Sequence, residues 1–506
     1  MKENKGRWIA AGVVAMVVGL ATSYATAMVL TIRESPVVAV AELIIQITPG
    51  AIAERLIRLV GQLDKPLLIL GILLFLLAMG AAAGVLSRRS TVKPLLIWLV
   101  LAALGSGAVL LQPGANVVDV LPVLVGFVTW VAVLPALTKP LLAERHHPEL
   151  ASRERRVFLM VAGALGVAAI GIAGAGRVLG RGRRHVAESR RLLRLDGVTR
   201  PMAPANTSIG LPGLFPWQTP NDDFYLIHTA IAVPTIEPKD WTLRIHGLVD
   251  RELTLTYNDL VERELTESWI TLNCVSNEVG GDLVGNAWWS GIRIADILAE
   301  VGLDPSADCI LQTSEDGWNC ATPLSALTDD RDAMLAVAMN GKPLPIEHGF
   351  PVRTIVPGLY GYVSATKWVV DYEVTRFSGV SAFWTDRGWS EEGPVKIASR
   401  IDVPRSGADV SAGEVNVGGL AWAQHTGIAS VEVAVDGGEW QPAELAQTPS
   451  IDTWVQWALT VQLEPGDHEL RVRATDKDGL EQTGVRRDVL PDGATGWHTI
   501  QVSADD

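Results

Sequence analysis

Cysteine is scarce in this chain: its 506 residues include only Cys274, Cys309 and Cys320, and none forms a C-x-x-C pair. The sequence therefore excludes a disulfide framework, a zinc knuckle, a cysteine-ligated iron–sulfur cluster and a c-type haem attachment motif. Cys309 and Cys320 flank the turn signal Asp316-Gly317, so they could face each other across a hairpin. Free thiols are the favoured interpretation, because a protein that folds in the cytoplasm matures in a reducing compartment.

Basic residues are scarce in the second part of the chain. Residues 200–506 contain 20 Lys and Arg against 45 Asp and Glu, whereas residues 1–199 contain 22 against 11. So acidic a region repels phosphate backbones, which argues against nucleic-acid binding. The length predicts two to four structural units, at about 100–200 residues per domain.

Five apolar stretches fill the first 180 residues, each near the ~20 residues that cross a bilayer. They are Trp8–Leu30, Leu67–Leu86, Leu95–Leu111, Val117–Leu137 and Val157–Leu179. A cleavable signal peptide explains only the first, so the pattern predicts an all-α transmembrane bundle of five helices within residues 1–180. The amphipathic segment Val37–Gln62, broken by Pro49-Gly50, is interpreted as lying in the membrane interface.

None of the five stretches contains a histidine. Membrane-embedded b-type haem usually needs axial histidines, so a haem-bearing bundle is not expected. The stretches also lack a pattern of charges that would indicate a transport path. The bundle is therefore predicted to be an anchor or a docking surface.

Membrane orientation follows from the loop lysines and arginines, which accumulate on the cytoplasmic side. Three groups mark the inside: Lys2, Lys5 and Arg7; Arg88, Arg89 and Lys93; and Lys139, Arg145, Arg153, Arg155 and Arg156. Five crossings then place the C-terminal part outside. Seven arginines contradict this simple rule, because they follow the fifth crossing: Arg177, Arg181, Arg183, Arg184, Arg190, Arg191 and Arg194.

The pair Arg155-Arg156 precedes an apolar segment and resembles a twin-arginine export signal. The alternative is an ordinary positive flank, and these residues alone do not decide between the two. Export of a folded, cofactor-loaded domain favours the export signal. The predicted location is thus a bacterial cytoplasmic membrane, with the soluble domains on the extracytoplasmic side.

The remaining chain is predicted to contain a linker and two soluble domains. Residues 181–214 form a basic segment and a Pro/Gly-rich linker. Residues 215–400 mix short strands with a few helices, including a strand in Trp241–Leu248, a helix in Asp296–Val301 and a strand in Ile310–Thr313, so an α+β fold is expected. Residues 401–506 show strands separated by turn signals, as in a β-sandwich.

Several ordered motifs in residues 215–506 resemble the sulfite oxidase family of molybdopterin enzymes. They are Asn221–Pro234 (NDDFYLIHTAIAVP), Trp241–Gly247 (WTLRIHG), Thr271–Ser276 (TLNCVS), Ala287–Gly291 (AWWSG), Asn340–Arg353 (NGKPLPIEHGFPVR) and Val356–Trp368 (VPGLYGYVSATKW). The last region, with Val435–Pro442 and Gly496-Trp497-His498, resembles that family's immunoglobulin-like domain.

The resemblance implies a molybdenum–molybdopterin cofactor with Cys274 as the thiolate ligand of the metal, and a soft thiolate suits such a centre. The alternative for Cys274 is a buried, inert cysteine. The implied cofactor-binding residues are Asp222, Tyr225, Leu226, His228, Thr313, His348, Arg353, Ser364, Ala365, Thr366 and Lys367. For Arg353 and Lys367 the alternative is surface salt bridging, and His228 is a weaker candidate. His246 is left out of the site as a structural histidine.

Two departures from the family concern the substrate. Glu278 and Val279 stand where the family has arginines that hold sulfite, and Trp318 stands where a tyrosine beside the metal is expected. Glu278 and Trp318 are therefore grouped with Cys274 as candidate catalytic residues. An indole donates a hydrogen bond but has no comparable acid–base role. A small neutral substrate such as a sulfoxide or another S- or N-oxide is expected in place of sulfite.

The sequence thus predicts a membrane-anchored molybdenum oxidoreductase that transfers an oxygen atom, with neither haem nor an iron–sulfur cluster. Its electrons are expected to pass to or from an external quinone or redox protein. Three alternatives stay open: a sulfite dehydrogenase, a protein methionine-sulfoxide reductase, and a metal-free binding or scaffold protein of the same fold. A homo-oligomer is compatible with the sequence.

Overall fold

The computed structural model describes residues 5–30, 32, 35–49, 52, 55–56, 59–60, 63–112, 115–146, 151–179, 182–195 and 197–505. The chain forms two compact units. The helical unit comprises residues 1–188 together with residues 230–234. The β-rich unit comprises residues 189–229 and 235–506.

Apolar helices build the helical unit. They are α1 Lys5–Val29, α2 Pro36–Ile47, α3 Asp64–Leu86, α4 Val92–Leu110, α5 Leu121–His146 and α6 Ala151–Leu179, followed by α7 Gly182–Leu192, which continues into the β-rich unit. Among the described residues, five helices are long and apolar enough to cross a membrane: α1, α3, α4, α5 with the 3₁₀ turn Val117–Val120 before it, and α6. Each coincides with one of the five predicted stretches. Helix α6 starts six residues before its stretch, because arginine is a good helix former.

Glycine allows α1 and α3 to pack with their backbones in contact. A Cβ added at Gly12 would lie 1.9 Å from the carbonyl oxygen of Gly80, so no larger residue fits there. Trp130 of α5 fills the space over Gly19, and its indole donates a hydrogen bond to the Met16 carbonyl at 3.2 Å. Close helix packing through small residues is common in membrane proteins.

An ion pair joins the beginning of α1 to the end of α5. The Arg7 guanidinium contacts the Glu144 carboxylate, and both side chains are mostly buried. These two helix ends therefore lie at the same end of the helical unit.

Some sequence-based predictions concern residues outside the described part of the chain. Gly50, Ile57 and Gln62 of the predicted interfacial segment are among them, so the break at Pro49-Gly50 stays a prediction. The part that is described, α2, packs Ala39 against Ala108 and Val109 of α4. The other residues outside the description are Lys2, Arg181 and the side chains of Arg145, Arg177, Arg183 and Arg184.

The first part of the β-rich unit contains two sheets and short helices. In one sheet β1 and β10 are parallel and the other pairs are antiparallel, and in the other sheet all pairs are antiparallel. Its strands are β1 Thr242–Gly247, β2 Leu253–Thr256, β3 Thr266–Asn273, β4 Val284–Arg293, β5 Cys309–Ser314, β6 Asn319–Pro323, β7 Met334–Met339, β8 Lys342–Pro343, β9 Arg353–Ile355 and β10 Val369–Thr375. Its helices are α8 Tyr257–Val261, α9 Ile294–Val301 and α10 Ser325–Thr328. The sheet orders are β2-β1-β10-β5-β6 and β3-β4-β7-β8, and β9 also pairs with β7.

Burial patterns explain these elements. Strand β4 is buried at nine of its ten positions, as expected for a central strand covered on both faces. Helix α9 buries Ile294, Ile297, Leu298 and Val301, a helical spacing that directs one apolar stripe into the core. The predicted elements in Trp241–Leu248, Asp296–Val301 and Ile310–Thr313 coincide with β1, α9 and β5. The predicted α+β character of this region is therefore confirmed.

The last hundred residues form two sheets around one apolar core. The strands are β11 Ala398–Val403, β12 Ala408–Ser411, β13 Gly413–Trp422, β14 Ile428–Val435, β15 Gln441–Pro442, β16 Glu444–Leu445, β17 Val455–Leu463, β18 Gly466–Asp476 and β19 His498–Asp505. One sheet has the order β11-β13-β17-β16 and the other β12-β19-β18-β14-β15. Val417 and Trp457 of the first sheet share a buried cluster with Val433 and Val472 of the second. The arrangement is a β-sandwich, and its immunoglobulin-like character stays a prediction.

A buried tryptophan cluster joins the sandwich to the rest of the β-rich unit. Trp217, Trp269 and Trp288 pack with Trp422 and Trp454 of the sandwich. The Trp454 indole donates a hydrogen bond to the Trp217 carbonyl at 2.8 Å. The sandwich is therefore fixed to the sheet that contains β3, at whose end Cys274 lies.

Candidate functional site

Cys274 is the first residue after the buried strand β3. Its N–H donates to the Leu283 carbonyl at 3.0 Å, and its carbonyl accepts from the Asn277 N–H at 3.1 Å, so a short loop holds it before the chain returns into β4. The Asn277 side chain fixes that loop by accepting from the Leu283 N–H at 2.9 Å. Cys274 is half-buried, whereas Cys309 and Cys320 are buried and free. Cys274 is thus the cysteine best placed to meet a ligand.

Burial raises the pKa of the Cys274 thiol, while hydrogen bonds from Ser276 and the charge of Lys367 lower its pKa. A metal ion binds the thiolate, so metal binding must displace this proton. The ammonium group of Lys367 favours that ionisation. Lys367 also donates a hydrogen bond from Nζ to the Glu347 carbonyl at 2.9 Å.

Arg353 is a buried cation on β9, with 4% of its surface exposed. Its hydrogen-bond acceptors are backbone carbonyls, those of Thr354 at 3.5 Å, His348 at 3.2 Å and Ala365 at 3.5 Å. Its guanidinium lies over the Trp289 ring at 5.3 Å. Among the described residues it has no carboxylate partner. Burial lowers the pKa of Arg353 to about 10, so the group stays charged at neutral pH.

His348 lies in the 3₁₀ turn Ile346–His348 and is buried. Burial, followed by the charges of Lys367 and Arg353, lowers the pKa of His348 to about 3. The imidazole is therefore neutral at physiological pH. A neutral ring beside two cations accepts or donates hydrogen bonds without adding to their repulsion.

The segment Asn221–Pro234 contributes aromatic rings to this group. Phe224 stacks on Tyr225 at 5.2 Å and meets His348 edge-on at 5.8 Å. Burial raises the pKa of Tyr225, and the Cys274 thiolate raises this pKa further, whereas Arg353 lowers it. Tyr225 therefore lies within electrostatic range of both residues. His228 meets the Trp368 ring edge-on at 5.9 Å, and Trp368 is the residue that follows Lys367.

Asp222 and Leu226 are exposed, unlike their neighbours Phe224 and Tyr225. The Asp222 carboxylate lies near Arg190, whose guanidinium donates to the Pro343 carbonyl at 2.8 Å and to that of Leu344. Arg190 comes from the predicted basic segment, and the sequence analysis did not assign it to the site. Its charge lies within electrostatic range of the Asp222 and Glu347 carboxylates.

The segment Ser364–Lys367 is buried, and its hydroxyl groups are bonded within the protein. Ser364 donates to the Tyr360 carbonyl at 2.9 Å, and the Thr366 hydroxyl lies 3.2 Å from the Cys320 sulfur. Ala365 offers its carbonyl to Arg353. A ligand would therefore meet mainly the backbone of this segment.

Thr313 lies on β5, paired with Asp371 of β10 and Asn319 of β6. The hairpin turn that follows is tied to the Ser364–Lys367 region, because the Glu315 N–H donates to the Trp368 carbonyl at 2.9 Å. Trp318 closes that turn, its carbonyl accepting from the Ser314 N–H at 2.8 Å. No hydrogen bond or ring contact among the described residues joins the Trp318 indole to Cys274.

Glu278 is exposed on the loop after Cys274, and its carbonyl accepts from the Gly281 N–H at 2.9 Å. The structure thus brings Tyr225 and Lys367 within electrostatic range of Cys274, and His348 within range of Lys367 and Arg353. It leaves Glu278 at the loop surface and Trp318 in a hairpin turn.

Two polar residues beside Cys274 were not found by the sequence analysis. Asn273 is 2% exposed, and its side-chain oxygen has no hydrogen-bond partner among the described residues. Tyr360 is 4% exposed and lies within electrostatic range of the Cys274 thiol. The family motif Val356–Trp368 contained Tyr360, but only the fold shows where its hydroxyl lies.

These residues fit molybdopterin. A buried cation without a carboxylate partner, Arg353, suits an anionic phosphate, and bidentate guanidinium–phosphate contacts are common. The unpartnered oxygen of Asn273 suits a hydrogen-bond donor such as a pterin N–H, because a buried polar atom without a partner is costly. The half-buried Cys274 thiol suits a soft metal.

Comparison with known proteins agrees with this chemistry. Residues 230–384 match the family model described as the oxidoreductase molybdopterin binding domain. Mitochondrial sulfite oxidase from Mus musculus is 31% identical over 339 residues, which cover 56% of this chain and 61% of that protein. The uncharacterized oxidoreductase YuiH from Bacillus subtilis (strain 168) is 32% identical over 178 residues, or 35% of this chain and 86% of YuiH.

A solved structure shares the fold. The crystal structure of the sulfane dehydrogenase SoxCD from Paracoccus pantotrophus has a TM-score of 0.51 and 24% sequence identity, covering 57% of this chain and 82% of that chain. The chain spans 61% of the length of the mouse sulfite oxidase it matches. Asp222, Tyr225, Leu226 and His228 precede the residues that match the family model.

The fold and these matches define an oxidoreductase enzyme with a molybdopterin-binding domain. The chain belongs to the sulfite oxidase family. The resemblance inferred from the sequence is therefore confirmed.

Proposed function

We propose that this protein is a membrane-anchored molybdenum-cofactor oxidoreductase that exchanges an oxygen atom with a small neutral oxide. The observation that carries the proposal is the half-buried Cys274 thiol within range of the Lys367 cation, with Arg353 and His348 buried nearby. When bound, the cofactor supplies two-electron oxygen-atom exchange. Reduction of a sulfoxide consumes two electrons and two protons, leaves a thioether and releases water.

Each residue around Cys274 has a role in this proposal. The Cys274 thiolate ligates molybdenum, and Arg353 and Lys367 hold the cofactor's anionic group by charge-assisted hydrogen bonds. Neutral His348 and Tyr225 hydrogen-bond the pterin, and the backbone of Ser364–Lys367 lines the same cradle. Asp222, Leu226, His228 and Thr313 are proposed as peripheral contacts of the cofactor. We keep Glu278 and Trp318 as candidate substrate-facing residues.

The substrate class follows from charge. Glu278 and Val279 follow Cys274 on its loop, and a carboxylate there repels sulfite. A sulfoxide or N-oxide has no net charge and avoids this repulsion. Methionine sulfoxide in exported proteins is one such substrate. Sulfite remains the second candidate, because several relatives are named sulfite oxidase.

Membrane anchoring rests on the five long apolar helices of the helical unit. The ion pair of Arg7 with Glu144 supports a topology in which the N-terminus and the loop after α5 share one side, which the positive residues mark as cytoplasmic. We propose that the β-rich unit lies on the extracytoplasmic side of a bacterial cytoplasmic membrane after twin-arginine export. The domain divisions 1–180, 181–214, 215–400 and 401–506 belong to the same proposal.

An external quinone or redox protein is proposed as the electron partner, with the helical unit as its docking surface. The cofactor requires such a partner, because two electrons enter or leave with each oxygen atom. We propose no haem and no iron–sulfur cluster, since the three cysteines lack the spacing for a c-type haem or a cluster and the five apolar stretches contain no histidine.

Metal analysis and an activity panel test the proposal. Full-length protein purified in detergent should contain molybdenum in near-stoichiometric amount. With reduced viologen it should reduce dimethyl sulfoxide, methionine sulfoxide or trimethylamine N-oxide faster than it oxidises sulfite with ferricyanide. Absence of molybdenum would favour the scaffold alternative, and fast sulfite oxidation would favour the sulfite dehydrogenase.

A further inference from the structure

Tyr360 is a buried residue within electrostatic range of the Cys274 thiol. It comes directly before the 3₁₀ turn Gly361–Val363, and its own N–H donates to the Gly393 carbonyl at 2.7 Å. A Cβ added at Gly361 would lie 4.0 Å from the Asn273 carbonyl oxygen, so this turn packs on the end of β3. The phenol is therefore buried at the side of the loop that carries Cys274.

Two segments hold the Tyr360 hydroxyl in place: the one before β11, which contains Lys396, and the one before β19, which contains Gly493. It accepts a hydrogen bond from the Lys396 N–H at 3.3 Å. A Cβ added at Gly493 would lie 2.6 Å from this hydroxyl, so only glycine allows the approach, and Gly493 also has a φ of +101°. The Lys396 ammonium locks the two segments together through Asp492 at 2.7 Å and the Gly493 carbonyl at 2.9 Å.

The Tyr360 hydroxyl donates no hydrogen bond to any residue in the described part of the chain. The oxygen accepts from Lys396, but no acceptor for the O–H itself is found among the described residues. The nearby Tyr362 differs, because its hydroxyl donates to the Ser390 carbonyl at 2.9 Å. A buried hydroxyl whose O–H donates no hydrogen bond is unfavourable unless a ligand accepts that bond.

On the basis of the proposed function, we propose that Tyr360 is a catalytic residue that donates a hydrogen bond to the oxygen atom exchanged at the site. It would supply the phenol that the sequence analysis found missing at Trp318. The donor is fixed in advance by Lys396 and Gly493, in a place from which water is largely excluded. Preorganised donors of this kind act on the charge that develops on an oxygen during the reaction.

The protonation state of the phenol agrees with this role. Burial raises the pKa of Tyr360 to about 12, and the Cys274 thiolate raises this pKa further. The group is therefore a neutral donor throughout the range in which the enzyme works. No proton transfer from Tyr360 is required.

The test compares Tyr360→Phe with Tyr362→Phe in the full-length, molybdenum-loaded protein. Both remove one buried hydroxyl, but only Tyr360 has an unspent donor beside Cys274. We expect Tyr360→Phe to keep its molybdenum content and melting temperature, and to lower kcat for dimethyl sulfoxide by about 10²-fold with little change in KM. Tyr362→Phe should keep the wild-type kcat.

A spectroscopic readout separates the hydrogen bond from a structural effect. The molybdenum EPR signal of the partly reduced enzyme should sharpen in D₂O if an exchangeable proton is hydrogen-bonded near the metal. This difference should vanish in Tyr360→Phe and persist in Tyr362→Phe. A second variant, Gly493→Ala, should also abolish it, because the added methyl group displaces the hydroxyl while the phenol remains.

The outcomes distinguish this inference from the proposed function. Molybdenum-loaded Tyr360→Phe with wild-type kcat and an unchanged D₂O effect would overturn the inference and leave the proposed function standing. A wild-type protein without molybdenum would overturn both.

Discussion

Arg353 and Lys367 pair through their backbones in an antiparallel bridge, which sets two cations side by side although 13 residues separate them in the chain. Their charges act together on His348, whose pKa both lower. Arg353 has no carboxylate partner among the described residues, so an anionic ligand would compensate its buried charge. The pair is therefore the strongest indication in the fold of where the cofactor's anionic group binds.

Replacing Arg353 tests that interpretation. Arg353→Met removes a buried charge that has no carboxylate partner among the described residues and keeps much of its apolar volume. We expect the cofactor-free protein to be as stable as wild type or more stable, by about 1–3 kcal/mol, because an uncompensated buried charge is unfavourable. The molybdenum content should fall at least tenfold. Differential scanning calorimetry and metal analysis give the two values.

The matched control is Arg331→Met, which removes an arginine that does have an anionic partner. Arg331 binds Asp329 through two nitrogens, at 2.9 and 2.8 Å. Its loss should lower the melting temperature and leave the molybdenum content of the folded protein unchanged. If Arg353→Met bound as much molybdenum as wild type, Arg353 would not hold the cofactor.

Cys274→Ser should abolish turnover and leave the fold nearly intact. Serine is similar in size, but its hydroxyl is a much poorer partner for molybdenum than a thiolate. Assays of dimethyl sulfoxide reduction, together with circular dichroism, measure both effects. Cys309→Ala is the control, since that thiol is buried in a separate apolar cluster with Ala321 and Ala382. Full activity of Cys274→Ser with metal bound would contradict the ligand assignment.

The sequence predicted most of the scaffold and part of the site. The strand in Trp241–Leu248 and the helix at Asp296–Val301 were readable because their apolar periodicity is local. Turn signals separate the strands of residues 401–506, but they do not show that the two-residue connection Glu464-Pro465 crosses from one sheet to the other before β18 begins at Gly466.

The missing parts of the site depend on contacts between distant residues. Tyr360 is placed by Lys396 and Gly493, which lie 36 and 133 positions further along the chain. Trp318 at the expected tyrosine position stays a prediction, whereas Tyr225 and Tyr360 lie within electrostatic range of the Cys274 thiol. A motif match identifies residue types but does not show which side chain turns toward the cysteine.

The pH dependence of stability should reflect His498 on β19. Its Nδ1 accepts a hydrogen bond from the Ile401 N–H at 2.9 Å, which requires the neutral ring. Burial and the charges of Arg400 and Arg486 lower the pKa of His498 to about 4. Between pH 6.5 and 4 the His498 ring is protonated in the unfolded chain but stays neutral in the folded protein. The free energy of unfolding therefore falls as the pH falls, by at most about 1.4 kcal/mol per pH unit.

Urea unfolding of the cofactor-free protein at pH 7, 5.5 and 4.5 measures this slope. His498→Asn keeps an acceptor for the Ile401 N–H but cannot be protonated, so its stability should depend less on pH over the same range. His468 provides the control, because a hydrogen bond from the ring to the Glu464 carbonyl and its bond with Asp436 raise the pKa of His468. An equal slope in His498→Asn and wild type would refute the assignment.

Substrate charge should be adjustable on the loop after Cys274. Glu278→Arg combined with Val279→Arg removes one negative charge and adds two positive charges near the site. We expect the KM for sulfite to fall by about tenfold, since each charge contributes modestly in a partly wet site. Glu439→Arg, in an exposed turn of the sandwich, controls for net charge. Efficient sulfite oxidation by the unmodified protein would contradict the prediction.

The last prediction joins membrane topology to export. Arg155 and Arg156 lie exposed within helix α6, where a charge-based flank and an export signal predict different effects of the same variant. Arg155→Lys with Arg156→Lys keeps the charge, so a positive flank should be undisturbed, whereas twin-arginine recognition should be lost. We expect the double variant to insert its first four helices normally and to leave residues 200–506 in the cytoplasm.

Protease added to intact spheroplasts reports the location of residues 200–506. In wild type this part should be digested, and in the double variant it should be protected. The matched control is Arg88→Lys with Arg89→Lys, a second arginine pair predicted on the cytoplasmic side, which precedes the third apolar stretch and not the fifth. The control should be digested like wild type. Equal digestion of both double variants would mean that Arg155 and Arg156 act only as a topological flank, because export would then not depend on arginine itself.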